Sequence, residues 1–405
     1  MRAAAREFSN RFAGGPPVAL LLAALVLAAF VLMLSSIASA DAQGAFYRAS
    51  DAELVGAPGT LIRDEIRPGA PAGATAHRVL YRSTDPDGKP IAVSGVVIVP
   101  RGVPPAGGWP IVAWAHPTTG IVPSCAPSLA IFLFQQIAGS RPLLERGYAI
   151  AATDYPGLGT PGPHPYLVGV SEARAVIDAV RAARSFPGAE RSERFAVWGH
   201  SQGGQAALFT GMIAGSYAPE LHLIGVAAAA PATDLAALMT NDLDTSGGRN
   251  LTAMTVWSWS RIYGAPVDSI VAASAVPTID RLARACIEGP FDIMARQRIA
   301  RPLGTQFLTS RNPATVEPWR SLLARNSPAA LAPDIPVFLA QGDADALVQP
   351  AVTRAYMRRL CDGGSRVRML LMPGVNHGFA AAKSADAALD WIAARFAQQA
   401  APSDC

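Results

Sequence analysis

Charge is scarce in this chain, and lysine is nearly missing. Aspartate, glutamate, lysine and arginine make up 16% of the 405 residues, against 50% hydrophobic ones. Lysine occurs only as Lys89 and Lys383. A composition this apolar can bury a large core, which excludes a disordered chain. The first forty residues hold three arginines and one glutamate; without them 31 basic and 29 acidic residues remain, a net +2. No basic block occurs, so the formal charge of +4 gives no reason to expect a nucleic-acid partner. Cysteine is equally sparse: Cys125, Cys286, Cys361 and Cys405 form no C-x-x-C pair, which removes the common zinc and thioredoxin-type patterns.

Long apolar runs are also missing, with one exception. Val18 to Leu34 is a run of 17 apolar residues that follows Arg2, Arg6 and Arg11. Ala38-Ser39-Ala40 then fits an A-x-A cleavage site, so residues 1–40 read as a secretory signal peptide. The alternative is an uncleaved signal that anchors the protein in a membrane, because the run approaches spanning length. The cleaved signal implies a secreted or periplasmic protein, the uncleaved one a membrane-anchored protein; either way the chain is expected to be exported. An even cysteine count in an exported protein suggests two disulfides, and spacing leaves all three pairings open.

Residues 41–76 are small, polar and proline-rich, and read as an irregular N-terminal segment. "HRVLYRS" and "IAVSGVVIV" are β-rich runs joined by "TDPDGKP", the expected hairpin. "GGWPIVAWAH", "GYAIAATDYPG", "RFAVWGHS" and "HLIGVAAAAPATD" are further strand candidates. Helical patterns fall between them, over Leu129 to Arg146, over "SEARAVIDAVRAARSF" with Ser171 as N-cap, and over "QGGQAALFTGMIAG". Strand and helix alternating, with continuously apolar strands, predicts an α/β fold whose central sheet is mostly parallel and covered on both faces. The pattern assigns 77–230 and 335–405 to this core. Residues 231–334 lack a strand series and are too long for a bare loop, so they read as a helical cap inserted before the last strands.

The chemistry centres on Gly199-His200-Ser201-Gln202-Gly203, which lies where a strand candidate meets a helix candidate. In that context G-x-S-x-G lifts the serine above the strand ends on a tight turn. A serine hydroxyl needs a base, and the base needs a carboxylate to orient it. The order along such a chain is serine, acid, histidine. Two histidines follow Ser201. His222 opens a strand at the far end of the sheet and reads as structural; His377 follows the last strand and reads as the base. "QGDADALV" offers Asp343 and Asp345 as the acid, and the residue pattern alone leaves both open. The oxyanion site needs two backbone N–H groups. Gln202 supplies one, and "AHPTTG" the other, from Thr118, because Pro117 has no N–H. His116 precedes the serine and reads as a loop-shaping residue.

Taken together, "AWAHPTTG", "PSCAPS", "DYPGLGTPGPHPYLVG", "GHSQGG", "QGDADALV" and "PGVNHG" resemble, in that order, the secretory lipase family of the α/β-hydrolase superfamily, over roughly residues 75–400. The resemblance implies a carboxylic-ester hydrolase, lipase or esterase, acting through an acyl-enzyme on Ser201, Asp345 and His377. It chooses Asp345 through the pattern Gly342-Asp343-Ala344-Asp345. It implies that the cap shapes the acyl pocket, and that the disulfides are Cys125–Cys286 and Cys361–Cys405. One departure stands out: bacterial relatives usually have glycine where this chain has Pro117.

Other signals are weaker. Trp257, Trp259 and Tyr263, with Met239 and Met254, either pack the cap or line a substrate pocket. "DLDTSGG" begins like a calcium loop, but its twelfth position is Ala253 and the match fails. "DYPGLGTPGPHP" has prolines where a phosphate cradle needs free N–H groups; Tyr155 and His164 border the active-site mouth or belong to a rigid loop. No metal or cofactor is expected. The expected partner is a small-molecule or lipid ester, with a transient contact of the cap with a lipid interface and no protein partner. The competing readings are an acyltransferase on the same residues, a non-catalytic binding protein on the same fold, and a secreted peptidase.

Overall fold

Apolar strands that bury both faces need helices on both sides, and that is how the chain folds. The computed structural model describes residues 44–405 apart from 242, 310 and 311, so the signal segment 1–40 lies outside the described residues. Gly44–Phe46 are helical, and Tyr47–Cys405 form one unit. Its sheet has nine strands in the order β1-β2-β3-β5-β4-β6-β7-β8-β9. These are β1 (Leu61–Ile66), β2 (Ala74–Thr84), β3 (Pro90–Pro100), β4 (Ile111–Ala115), β5 (Ala149–Thr153), β6 (Arg194–His200), β7 (His222–Ala229), β8 (Val337–Gly342) and β9 (Val367–Met372). The first three are antiparallel and β3 meets β5 antiparallel; every other pair is parallel. The β2–β3 hairpin turns where Asp85 Oδ1 accepts from the N–H groups of Asp87 and Lys89.

The longer helices are α1 (Gly169–Ala183), α2 (Gln202–Tyr217), α3 (Leu235–Asn241), α4 (Ser246–Ile262), α5 (Val276–Ala283), α6 (Pro290–Ala300), α7 (Trp319–Arg325), α8 (Pro350–Asp362) and α9 (Ala380–Phe396). On one face of the sheet α1, α2 and α8 bury Ile177, Leu208 and Leu360 against Val197 and Leu339. On the other face α9 buries Leu389 and Trp391 against Ala196 and Phe338. Alanine-rich strands such as Ala227–Ala229 let the helices approach closely. The segment between β7 and β8 carries α3 to α7 and a core of its own, around Trp259, Met254, Leu282 and Trp319.

Three expectations need correction. The segment 41–76 is not irregular throughout: Asp51–Leu54 is a helical turn, and β1 pairs with β2 at the sheet edge. β1 shows no apolar alternation because it is held by pairing and by ion pairs, Arg63 to Glu53 and Glu65 to Arg78. The helix expected from Leu129 to Arg146 is broken into Leu133–Gln136 and Ser140–Glu145. Gly139 between them has φ +78° and presses on Leu389, where a Cβ would come within 2.4 Å of Cδ1. Ser171 does not cap α1, which starts at Gly169; instead Glu172 accepts from the Leu167 N–H at 2.9 Å.

Candidate active site

Ser201 sits between β6 and α2 with φ +57° and ψ −116°, a region a serine enters only under constraint. Such a conformation costs on the order of 1–3 kcal/mol and persists only where the surroundings over-determine it. Here the Ser201 N–H donates to Ala229 O of β7 at 2.9 Å, and its carbonyl accepts from Gln205 N at 3.0 Å. The flanking glycines are needed for space. A Cβ on Gly203 would lie 1.9 Å from Ala115 O, and one on Gly199 would lie 2.1 Å from Gly203 O. Strand and helix therefore close on each other at this turn only if both residues are glycine.

His377 reaches the serine from the loop after β9. Its Nε2 lies 2.8 Å from Ser201 Oγ, and its Nδ1 lies 2.7 Å from Asp345 Oδ2. Asp345 comes from the loop after β8, and the two loops touch: Ala344 N–H donates to Val375 O, and a Cβ on Gly342 would lie 2.0 Å from that oxygen. Asp345 is buried, yet it accepts from Leu347 N–H and Val348 N–H on one oxygen and from Gln341 Nε2 on the other. Burial raises its pKa, but the bond and charge of His377, with these N–H groups, hold it below the ordinary aspartate value. Asp343 is exposed and accepts instead from Gly374 N–H at 2.6 Å, on the turn that leads to His377. The structure thus separates two carboxylates that the sequence pattern left open.

The remaining predicted residues divide. Gln202 opens α2, so its N–H has no intrahelical partner. Thr118 lines the same cavity as Ser201 and His377, and its Oγ1 lies 3.0 Å from Tyr166 Oη. His222 is exposed at the start of β7, at the end of the strand away from the elbow. His116 is buried between the Pro117 and Asp154 carbonyls, and burial pushes its pKa down to about 4. His164 is fully buried rather than at a mouth. In the cap, Trp259 and Tyr263 pack with Trp319 and Asn326, whereas Met254 lines the main cavity and Met239 a smaller one. Both disulfides form, Cys125–Cys286 and Cys361–Cys405. The first ties the loop after β4 to the cap.

Some residues carried no sequence signal as site residues. His200, the variable position of the pentapeptide, donates from Nε2 to the His377 carbonyl at 3.0 Å and steadies that loop. Burial and the neighbouring His377 push its pKa down to about 3, so it stays neutral. Asp154 lines the cavity wall, pushed up to about 6 by burial against hydrogen bonds from Ser128 and Ser94. The cavity above Ser201 encloses about 820 Å³ between Thr118, Met254, Ile287, Ile293, His377 and Phe379. A narrower space beside Ser201 and Gln202 is walled by Leu235, Leu238, Met239 and Leu251.

A family model described as secretory lipase matches residues 135–404. The chain belongs to the secretory lipase family. Its sheet and strand order are those of an α/β-hydrolase, and the solved structure of Candida antarctica lipase A superposes with a TM-score of 0.74 at 18% identity, over 88% of this chain and 86% of that one. Lipase 10 of Candida albicans is 25% identical over 390 residues, 86% of this chain and 79% of that protein. A Mycobacterium tuberculosis protein named probable inactive lipase is 29% identical over 194 residues, 44% of this chain and 43% of that one. Membership in the secretory lipase family supports a carboxylic-ester hydrolase, and together with the two disulfides it fits an exported protein.

Proposed function

We propose that this chain is an exported serine hydrolase of carboxylic esters, with Ser201, His377 and Asp345 as its catalytic residues. The unbroken row from Ser201 Oγ through His377 to Asp345 carries the reading. Ser201 Oγ attacks the ester carbonyl while His377 Nε2 takes its proton. Asp345 holds the Nδ1 proton and stabilises the imidazolium. The backbone N–H groups of Gln202 and Thr118 receive the oxyanion, each contributing about 3–4 kcal/mol to the transition state. His377 returns the proton to the leaving alcohol, and a water activated by the same imidazole cleaves the acyl-enzyme. The relative named inactive makes a non-catalytic protein the natural rival, and an intact row of three residues argues against it here.

Most of the cavity wall is apolar, from Trp114, Leu133, Ile137, Leu251, Met254 and Ile287, which favours an aliphatic acyl part. Large apolar side chains are exposed on the segments that line its mouth: Ile131 and Phe132, Phe291 and Met294 on α6, and Phe379 beside His377. Five such residues cost solubility unless they meet lipid, so the mouth is suited to a lipid surface and a lipid ester. Export through a signal cleaved after Ala40 completes the reading. The test is hydrolysis of p-nitrophenyl esters from acetate to palmitate by the protein starting at Asp41, beside Ser201→Ala. The change should lower kcat by about a millionfold. An oxidised, folded sample without turnover on any ester would refute the reading.

A further inference from the structure

The loop between β5 and α1, residues 154–168, touches both arms of the oxyanion site. Tyr155 donates its hydroxyl proton to the carbonyl of His116, two residues before Thr118, at 3.2 Å. Tyr166 Oη lies 3.0 Å from Thr118 Oγ1. On the other arm, His164 Nε2 lies 2.8 Å from Gln202 Nε2, and Glu172 Oε1 accepts from the same amide at 2.8 Å. His164 Nδ1 donates to Pro156 O at 2.8 Å, which leaves Nε2 as a bare acceptor for Gln202. Burial keeps the ring neutral, pushing its pKa down to about 3. Tyr155, His164, Tyr166, Glu172 and Gln202 are all buried.

The loop is itself pinned by the cap. Ser258 of α4 accepts from Tyr166 N–H at 3.0 Å and donates to His164 O at 2.6 Å, while Trp259 Nε1 donates to Tyr166 O at 2.9 Å. His116, Tyr155 and His164 pack ring on ring, the latter pair nearly parallel at 5.7 Å. Thr118 needs such a hold, because it follows the last residue of β4 by three positions and lies outside the strand ladder. Gln202 needs one because the first N–H of a helix has no ladder bond to aim it.

We propose that Tyr166 and His164, the latter together with Glu172, are positioning residues that aim the Thr118 and Gln202 N–H groups at the oxyanion. A donor already aimed costs no reorganisation when charge develops, whereas a displacement of about 1 Å costs about a hundredfold in rate. The inference rests on the reading of Ser201 as the nucleophile that attacks an ester.

The test compares Tyr166→Phe, Thr118→Val and their double variant, and likewise His164→Phe, Gln202→Leu and theirs. Each is assayed on p-nitrophenyl butyrate, with active sites counted by a phosphonate that labels Ser201. A second readout is inhibition by an alkylboronic acid, whose tetrahedral adduct places an oxygen in the oxyanion site. Each single change should lower kcat per labelled site about tenfold to a hundredfold, with KM within about twofold. The boronate inhibition constant should rise by the same factor. The Tyr166–Thr118 double variant should be little worse than its singles, because both remove one contact, and the His164–Gln202 double little worse than Gln202→Leu, which removes the His164 and the Glu172 contact together. A purely structural role would lower the number of labelled sites and leave kcat per site unchanged. That result, or wild-type kcat and boronate affinity in Thr118→Val and Tyr166→Phe, overturns the proposal. If Tyr166→Phe fails to fold, Thr118→Val removes the same contact from the less buried side and decides alone. A wild-type protein that neither takes the phosphonate nor turns over ester sinks the hydrolase reading, and the positioning role with it. An active wild type with indifferent variants sinks the positioning role alone.

Discussion

Two histidine–carboxylate pairs flank the same turn, and they are opposite in character. His377 and Asp345 meet at 2.7 Å on the cavity side; His164 and Glu172 stand 3.7 Å apart in the interior, with the Gln202 amide bonded to both. Both carboxylates are buried, yet their acidities move in opposite directions. Asp345 receives hydrogen bonds on both oxygens, from two backbone N–H groups, Gln341 and His377. Glu172 receives two, both on Oε1, and Oε2 has no partner among the described residues. Burial therefore prevails at Glu172 and pushes it up to about 8, whereas donors prevail at Asp345. One pair can support an imidazolium during a reaction. The other is a neutral scaffold, and the number of N–H groups aimed at each carboxylate decides which is which.

The comparison breaks most visibly under amide substitution. Asp345→Asn should lower kcat by about ten-thousandfold, because the wrong imidazole tautomer is then held against Ser201. Glu172→Gln keeps an acceptor for Gln202 and should cost at most about tenfold, the range of a displaced rather than deleted group. Steady-state kinetics on one soluble ester measures both; comparable losses would show that the inner pair takes part in the chemistry.

A second effect appears in stability against pH, with opposite signs for the two acids. Asp345 has a lowered folded pKa, so the stability it contributes is present above its unfolded value and is lost as pH falls through the folded one. Glu172 binds a proton in the folded state over the range from 4.5 to about 8 in which the unfolded chain has lost it. Its contribution is therefore present below 4.5 and lost as pH rises toward about 8. Thermal melts of Glu172→Gln should match the wild type near pH 5 and exceed it by a few degrees above pH 8. Asp154, also raised, leaves part of the alkaline decline in place. A variant that loses stability equally at all pH values would mean that Glu172 is ionised in the fold.

The disulfides offer a smaller, separable effect. Cys125–Cys286 closes a separation of 161 residues and Cys361–Cys405 one of 44. Chain entropy makes either worth about 2–5 kcal/mol. Replacing the second pair by serines should lower the melting temperature alone, because it joins α8 to the C-terminus, away from the cavity. Replacing the first should also raise KM for long acyl chains, because it fastens the cap beside Ile287 of the cavity wall. Equal KM values in the two variants would show that the cap needs no such fastening.

What could be read in the sequence was what is local. The elbow declares itself because two glycines, a strand and a helix are adjacent in the chain, and the closeness of Gly203 to Ala115 and of Gly199 to Gly203 explains why both glycines are there. His377 was legible from chain order. β1 was not, since an edge strand held by ion pairs needs no apolar alternation. The need for glycine at 139, where the helix breaks, was hidden because the side chain that presses on it, Leu389, lies 250 residues away. The inner pair was hidden for the same reason: Glu172 looks like a first-turn helix glutamate until the fold brings Gln202 against it.

Asp343 and Asp345 give the finest version of the same comparison, two carboxylates two residues apart in one loop. Residue type could not divide them, because a shift of two positions in a loop changes side-chain direction without changing pattern. The fold divides them by what each oxygen meets: Asp345 faces His377, and Asp343 is exposed with one bond to the Gly374 N–H. An asparagine at 343 keeps an acceptor for that N–H and removes a charge already in water. Asp343→Asn should therefore leave kcat within about twofold and stability within about 0.5 kcal/mol of the wild type, as a surface change does. A tenfold fall in kcat would mean that the Gly374 turn, and not the Asp345 contact alone, sets the position of His377.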